Sequence, residues 1–562
     1  MAKITGGRYI AKFLEAYGVK AFFFVPAILS RTLAEMDSLP IKRILAHTEN
    51  AAVYMADGYA RAARRPGVVA GQAVGSANVA GGLREAMLAH SPVIAFTGGR
   101  LPQQKYKHAY QELDDFPLFN VVCKKSFQID AVERIPDLLR QAFREATSGC
   151  PGPVNLQMAG KQGEIEDELA ELDLIVEDAF TAVPAHRPVA ARDKVAEAAM
   201  YLRKALRPVI VMGGGARWSD AGPEVLRLAE LSSIPIATGL SAYALIPEGH
   251  QLYCGVPGTY SRTCTNQILD RADLVLFVGS QTGGQVTHFW QFPRPGTNVI
   301  QIGLEATDLG RNYPNVVSLL GDAKATVEVL NQALEGSLEL ESRSAWLQEV
   351  QNAKRQWREN AAINRASEAS PMRPERILKD IGAALPSDTI FVCDTGHAGM
   401  WCAQQLWVDN VSWDFLRSAG SLGWAFPAAL GAKCAVPDRP VVCFTGDGGF
   451  WYHIQELETA VRCNIPTVTC INNNDSLNQE LPIFERVYAD RPEPKHRELW
   501  HFSKRNFADI ALSMGALGIR VNKPGELPTA LDRALSSGVP TVVDIHSDIE
   551  ALAPLAWERP LI

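Results

Sequence analysis

Short apolar runs rich in β-branched and aromatic residues alternate along this chain with longer stretches whose apolar residues recur every three to four positions. That is the pattern of buried strands separated by amphipathic helices. In the first third, 21–25, 41–46, 68–73 and 92–99 read as strands, 8–17, 30–39, 51–60 and 81–89 as helices, and 151–158 as the closing strand. A second block carries strands at 208–212, 234–238, 274–278 and 299–302. A third has strands at 389–393, 415–417, 441–444 and 467–471, then a helix, a strand and a final helix–strand pair between 506 and 545. The polar stretch 163–186 and the charged, helical stretch 335–369 read as linkers. Regular strand–helix alternation favours parallel sheets covered on both faces. The expected architecture is therefore α/β, with three doubly wound parallel-sheet domains at 1–170, 187–335 and 370–562.

Composition narrows this picture. A chain of 562 residues is too long for one core. A net charge of −7 offers no basic footprint for nucleic acid. No apolar run approaches the ~20 residues needed to span a bilayer, so neither nucleic acid nor membrane is an expected partner and a cytoplasmic location is expected. The ten cysteines form no CxxC or Cys/His cluster and read as reduced core thiols.

The candidate chemistry lies at the ends of strands. The run from Val441 breaks at Gly446-Asp447-Gly448-Gly449, after which Phe450, Ile454, Leu457 and Val461 mark one face of a single helix. The next strand ends in Asn472-Asn473-Asn474-Asp475. A right-handed crossover puts Asp447 and Asn474 at the same carboxyl edge of a sheet. Carboxylate and amide oxygens suit Mg²⁺ or Ca²⁺, and the glycines let backbone approach a diphosphate at a helix N-terminus. Alone, the glycine turn fits a ligand-free strand-to-helix connection equally well. Glu49 also stands at a strand-to-helix junction, where the helix dipole alone could account for a carboxylate. Gly213-Gly214-Gly215 lacks the dinucleotide spacing and reads as a turn.

Together these residues resemble the thiamine diphosphate enzymes of the acetolactate synthase, pyruvate oxidase and benzaldehyde lyase group, over essentially the whole chain. GDGGFWYHIQELETAVRCNIP with its asparagine run is similar to that family's metal and diphosphate motif. HTENAAVYMADGYARA is similar to its glutamate helix, and YQELDD with Lys124 to its next active-site segment. The resemblance implies thiamine diphosphate and Mg²⁺ as cofactors. Asp447, the Asn474 side chain and the Ser476 carbonyl would hold the metal. Gly396, His397 and Ala398, with Gly446, Gly448 and Gly449, would meet the diphosphate. Gly420, Leu422 and Asn78 would serve the rest of the cofactor, Leu422 as an apolar wedge. Glu49 would hydrogen-bond the pyrimidine N1′ and so assist proton removal from the thiazolium C2. Gln111 and, after it, His108, Asn478, Gln479, Glu480 and Glu493 are the polar candidates for the substrate pocket, with Gln111 and Glu480 as further catalytic groups; the last five, Glu480 included, read chiefly as solvated loop residues. The family also implies a homodimer or homotetramer with each site built from Glu49 of one subunit and Asp447 of another.

Two departures separate the chain from a typical acetolactate synthase. Ile483 stands where that enzyme carries a tryptophan, and Ser280-Gln281-Thr282-Gly283-Gly284 replaces an Arg-Phe-Asp-Asp-Arg run. The paired histidines of simple 2-oxo-acid decarboxylases are missing, and Ala27-Ile28-Leu29 offers no histidine of the benzaldehyde lyase kind. The expected activity is therefore a C–C lyase or carboligase acting on a 2-hydroxy ketone, 2-hydroxyacyl or 2-oxo acid donor. Alternatives are a 2-hydroxyacyl-CoA lyase, for which the segment 486–497 with Arg491, Lys495 and Arg497 offers the basic lid that CoA needs, a cyclic diketone hydrolase, a non-catalytic cofactor-binding homologue and, on fold alone, a nicotinamide oxidoreductase.

Overall fold

The computed structural model describes residues 3–336, 343–409, 412–491 and 495–559. It contains three six-stranded sheets, each parallel throughout, with helices on both faces. The first runs Lys42–Leu45, Ala21–Val25, Gly67–Gly71, Val93–Gly98, Val154–Met158, Lys125–Ile129 from edge to edge. The third runs Asp414–Arg417, Ile390–Cys393, Val441–Gly446, Val468–Asn473, Thr541–His546, Leu517–Val521. Counted in chain order within each domain, both have the order 2-1-3-4-6-5. The central sheet differs. Its strands Tyr253–Gly255, Ile236–Thr238, Pro208–Met212, Leu274–Val278, Asn298–Gly303 and Asn315–Leu320 follow 3-2-1-4-5-6.

Three of these strands escape the sequence pattern: Lys125–Ile129, Tyr253–Gly255 and Asn315–Leu320. All are edge strands. The two longer ones bury only some of their side chains, which removes the continuous apolar run that marks a central strand, and the third has only three residues. Part of the stretch read as the first linker is also built into the first domain, because Leu169–Ala170 pairs antiparallel with Ile4–Thr5. The second is largely the helix Ser344–Arg365.

The outer domains share one core. Helix Glu49–Ala63 is buried from Ala51 through Ala60 because sheet covers one side and helix Ala425–Ala435 the other. Glycine sets that spacing: a Cβ on Gly58 would stand 2.0 Å from the Ala428 oxygen, and one on Gly431 1.8 Å from that of Met55. The single helix expected after Asp447 is instead two, Asp447–Trp451 and Glu456–Arg462. Between them, bonds from Glu456 N to His453 O and Leu457 N to Ile454 O tighten the chain. The break lets the buried Glu456 carboxylate accept from the His47 N–H at 3.0 Å, and sets His453 edge-on to Tyr54, both contacts to the first domain.

Candidate active site

The carboxyl ends of four neighbouring strands in the third sheet enclose a cavity of about 310 Å³. Gly396, His397 and Ala398 enter after Ile390–Cys393, and Gly420 and Leu422 after Asp414–Arg417. Gly446, Asp447, Gly448 and Gly449 follow at the end of Val441–Gly446. Asn474, Ser476 and Glu480 come after Val468–Asn473, with Asn478 and Gln479 beside them. Register explains the convergence: Gly446 lies opposite Asn472 in adjacent parallel strands, so Asp447 and Asn474 leave the sheet together.

The electrostatics of this cavity are unbalanced. Asp447 is 2% exposed, and its Oδ1 has no hydrogen-bond partner. Burial, reinforced by the neighbouring Asp475, pushes its pKa up to about 8. Asn472 Oδ1 is a second buried oxygen without a partner. Orphaned oxygens of this kind are completed by a hydrogen-bond donor or a cation. Among the described residues no three His, Cys, Asp or Glu side chains converge as a metal cluster. A metal here would thus take one carboxylate with amide and carbonyl oxygens, the donor set that suits Mg²⁺. The residues present fit that ion and an anionic group beside the helix N-terminus at Asp447.

Around the cavity the loops are held from behind. Asp394, fully buried, accepts from Thr395 N (2.8 Å), Gly423 N (3.2 Å) and Thr445 Oγ1 (3.1 Å), joining three of the four loops. Burial raises its pKa to about 6 against those hydrogen bonds. His397 Nδ1 meets Asn478 Oδ1 at 2.8 Å, and burial lowers its pKa. Asn478 is no solvated residue: it is 4% exposed and donates to the Ile549 and Ala551 carbonyls, tying the C-terminal tail to the site.

Glu49, Asn78 and Gln111 do not line this cavity. Glu49 begins helix Glu49–Ala63, half-buried, and accepts from Asn78 Nδ2 at 3.0 Å. It rests on Gly75, where a Cβ would come within 2.3 Å of its Oε1. Gln111 lies in an irregular segment with its Oε1 buried and unpartnered. Lys124 has no place at a site: its ammonium donates to the Glu145, Ser148 and Cys150 carbonyls and closes the end of helix Ile135–Thr147. His108 is exposed, Ile483 is 47% exposed, and Glu493 lies outside the described residues.

One residue of evident importance gave no sequence signal. Glu85, fully buried in the first domain, accepts from Ala419 N and from Ser421 N (3.0 Å), and its carboxylate meets Arg61. It thereby holds the loop carrying Gly420 and Leu422 from another domain. A lone acid on a helix of small residues, over 330 positions from its partners, could be found only by asking why a charge sits on a buried face.

Fold and cavity together define a three-domain α/β protein with a polar, glycine-framed cavity at the carboxyl edge of its third sheet. Family models agree: thiamine pyrophosphate enzyme N-terminal TPP-binding domain over residues 4–118, central domain over 195–330 and C-terminal TPP-binding domain over 394–545. The chain is 33% identical to a probable acetolactate synthase large subunit of Methanocaldococcus jannaschii, covering 98% of this chain and 93% of that protein. It is 28% identical to an acetolactate synthase large subunit of Haemophilus influenzae and 27% to the isozyme 1 large subunit of Escherichia coli, each covering 98% of this chain and 95% of the relative. The chain belongs to the thiamine diphosphate-dependent enzymes of the acetolactate synthase and pyruvate oxidase group.

Proposed function

We propose that this enzyme makes or breaks a C–C bond next to a carbonyl, as a lyase or carboligase acting on a 2-hydroxy ketone, 2-hydroxyacyl or 2-oxo acid donor, and that it is not a typical acetolactate synthase. The observation that carries the reading is the buried, unpaired Asp447 oxygen in a cavity enclosed by four strand ends, three of which contribute glycines. Asp447, the Asn474 side chain and the Ser476 carbonyl hold Mg²⁺; the backbone around Gly396, His397, Ala398, Gly446, Gly448 and Gly449 meets the diphosphate, and Gly420 and Leu422 the pyrimidine. Bound thiamine diphosphate supplies the electron sink that C–C chemistry beside a carbonyl requires. Glu49, steadied by Asn78, holds a proton at the pyrimidine; Gln111 and Glu480 serve the substrate. The functional units are residues 1–170, 187–335 and 370–562.

The cavity is lined by the third domain and by Tyr260 of the central one, with nothing from the first domain. This supports a homodimer or homotetramer whose sites combine Glu49 of one subunit with Asp447 of another. Mixing inactive Glu49→Gln and Asp447→Ala proteins tests the arrangement. Random reassociation leaves one intact site in each mixed dimer and restores roughly a quarter of the parent activity. No recovery after verified subunit exchange would refute the shared site. A 2-hydroxyacyl-CoA substrate has less support, because Arg491 lies 4.8 Å over the Tyr488 ring and Arg497 faces His501 at 3.1 Å. Turnover of a panel of 2-oxo acids, acyloins, cyclic diketones and CoA thioesters, read by product mass spectrometry, decides among donors; formation of acetolactate from pyruvate as the main reaction would overturn the departure from acetolactate synthase.

A further inference from the structure

A second cavity, of about 630 Å³, opens beyond the strand Val93–Gly98 in the first domain, walled mainly by residues 99–117. Arg100 is part of its wall and is only 8% exposed. Its Nη1 donates to the Gly99 carbonyl at 2.6 Å, while Nε and Nη2, both out of water, have no partner. Those two nitrogens are one edge of the guanidinium, the edge that grips a planar oxyanion through two parallel hydrogen bonds. A buried cation with that edge unpaired is costly unless a ligand completes it.

The acids nearby are already engaged. Asp115 accepts from Ser76 Oγ and from Gln157 Nε2 at 3.2 Å. Glu112 accepts from Tyr106 N (2.6 Å) and Ala109 N (2.8 Å). Asp114 is exposed to solvent, and Lys105 faces Asp130 at 3.5 Å. One helix links the cavity wall to Glu49: Ser76, which donates to Asp115, begins the helix whose Asn78 donates to Glu49.

We propose that Arg100 is the carboxylate-recognition residue of this enzyme, and that the carbonyl substrate is a 2-oxo or 2-hydroxy acid whose carboxylate accepts from Nε and Nη2. This rests on the functional reading above for the carbonyl chemistry and adds the anionic group. Arg100 binds and orients; it takes no part in bond making.

The test uses the full chain, without and with thiamine diphosphate and Mg²⁺. Pyruvate and neutral acetoin serve as paired probes, with binding followed by ligand-observed NMR. Arg100→Met weakens pyruvate at least ~10-fold and leaves acetoin unchanged, and Arg100→Lys, which keeps a point charge without the fork, falls between them. The Lys variant keeps the test valid if the Met variant does not fold. Equal pyruvate binding by parent and variants overturns the proposal. So does a shift in the dimer dissociation constant with pyruvate binding intact, which would assign the free edge to a subunit contact. Inorganic phosphate binding more tightly than pyruvate overturns the carboxylate assignment. Thiamine diphosphate affinity, measured on the same samples by calorimetry, reads the functional assignment separately.

Discussion

The first and third domains are built on the same sheet yet present opposite chemistry at its carboxyl edge. Both follow the order 2-1-3-4-6-5, and both turn from strand to helix at small residues. In the third domain the edge closes over Asp447, leaving a carboxylate 2% exposed with an unpaired oxygen. In the first, the carboxylate at the comparable strand-to-helix junction, Glu49, is half-buried and already holds an amide donor from Asn78. Topology therefore determines where a site can form, while loop burial determines what it can bind. On the proposed function, one edge binds a cation and an anion and the other manages a proton.

The contrast can be broken most sharply at Glu49. Glu49→Gln is expected to slow C2 proton exchange of bound thiamine diphosphate by ~10²–10⁴-fold, measured by NMR, with cofactor affinity changed far less. If affinity collapses with the rate, the two edges do not divide the work. Asp447→Ala should give the mirror image, a loss of at least ~100-fold in Mg²⁺-dependent cofactor affinity by calorimetry. A metal affinity equal to the parent's would move the metal elsewhere. Glu85→Ala crosses the boundary between the domains. It removes the acceptor of the part-buried N–H groups of Ala419 and Ser421, at about 1 kcal/mol each, and should lower both melting temperature and cofactor affinity, the latter by ~10-fold.

The smallest effect concerns Asp394, whose pKa of about 6 lies above the ordinary value of 3.8. The folded protein then holds this proton more tightly than the unfolded chain. Its contribution to stability falls as pH rises from about 4 to 6 and is level above that, by up to roughly 3 kcal/mol. Asp394→Asn removes that fall, so chemical denaturation at pH 4, 5, 6 and 7 should show a shallower slope for the variant. Parallel curves would show that Asp394 titrates normally.

Much of the site was legible because its signals are local. Asp447 and Asn474 each sit where an apolar run ends in small or polar residues, and parallel pairing then brings them to one edge. The same locality hid the edge strands, whose half-exposed side chains dilute the pattern, and made the two helices after Asp447 look like one. Lys124 misled for a related reason: its place in a motif suggested an active-site role, but its ammonium lies among three carbonyls at a helix end.

Periodicity and turn chemistry act over about ten residues, so the three α/β blocks, the positions of most strand ends and the family are readable along the chain. Packing between distant segments is what keeps Glu49 out of the Asp447 cavity, brings Glu85 across domains to Ser421 and buries one edge of Arg100 without a partner. Each of these depends on how sheets and helices far apart in the chain pack. Burial, which sets both the pKa of Asp447 and the need of Arg100 for an anion, is a property of that packing and not of any stretch of sequence.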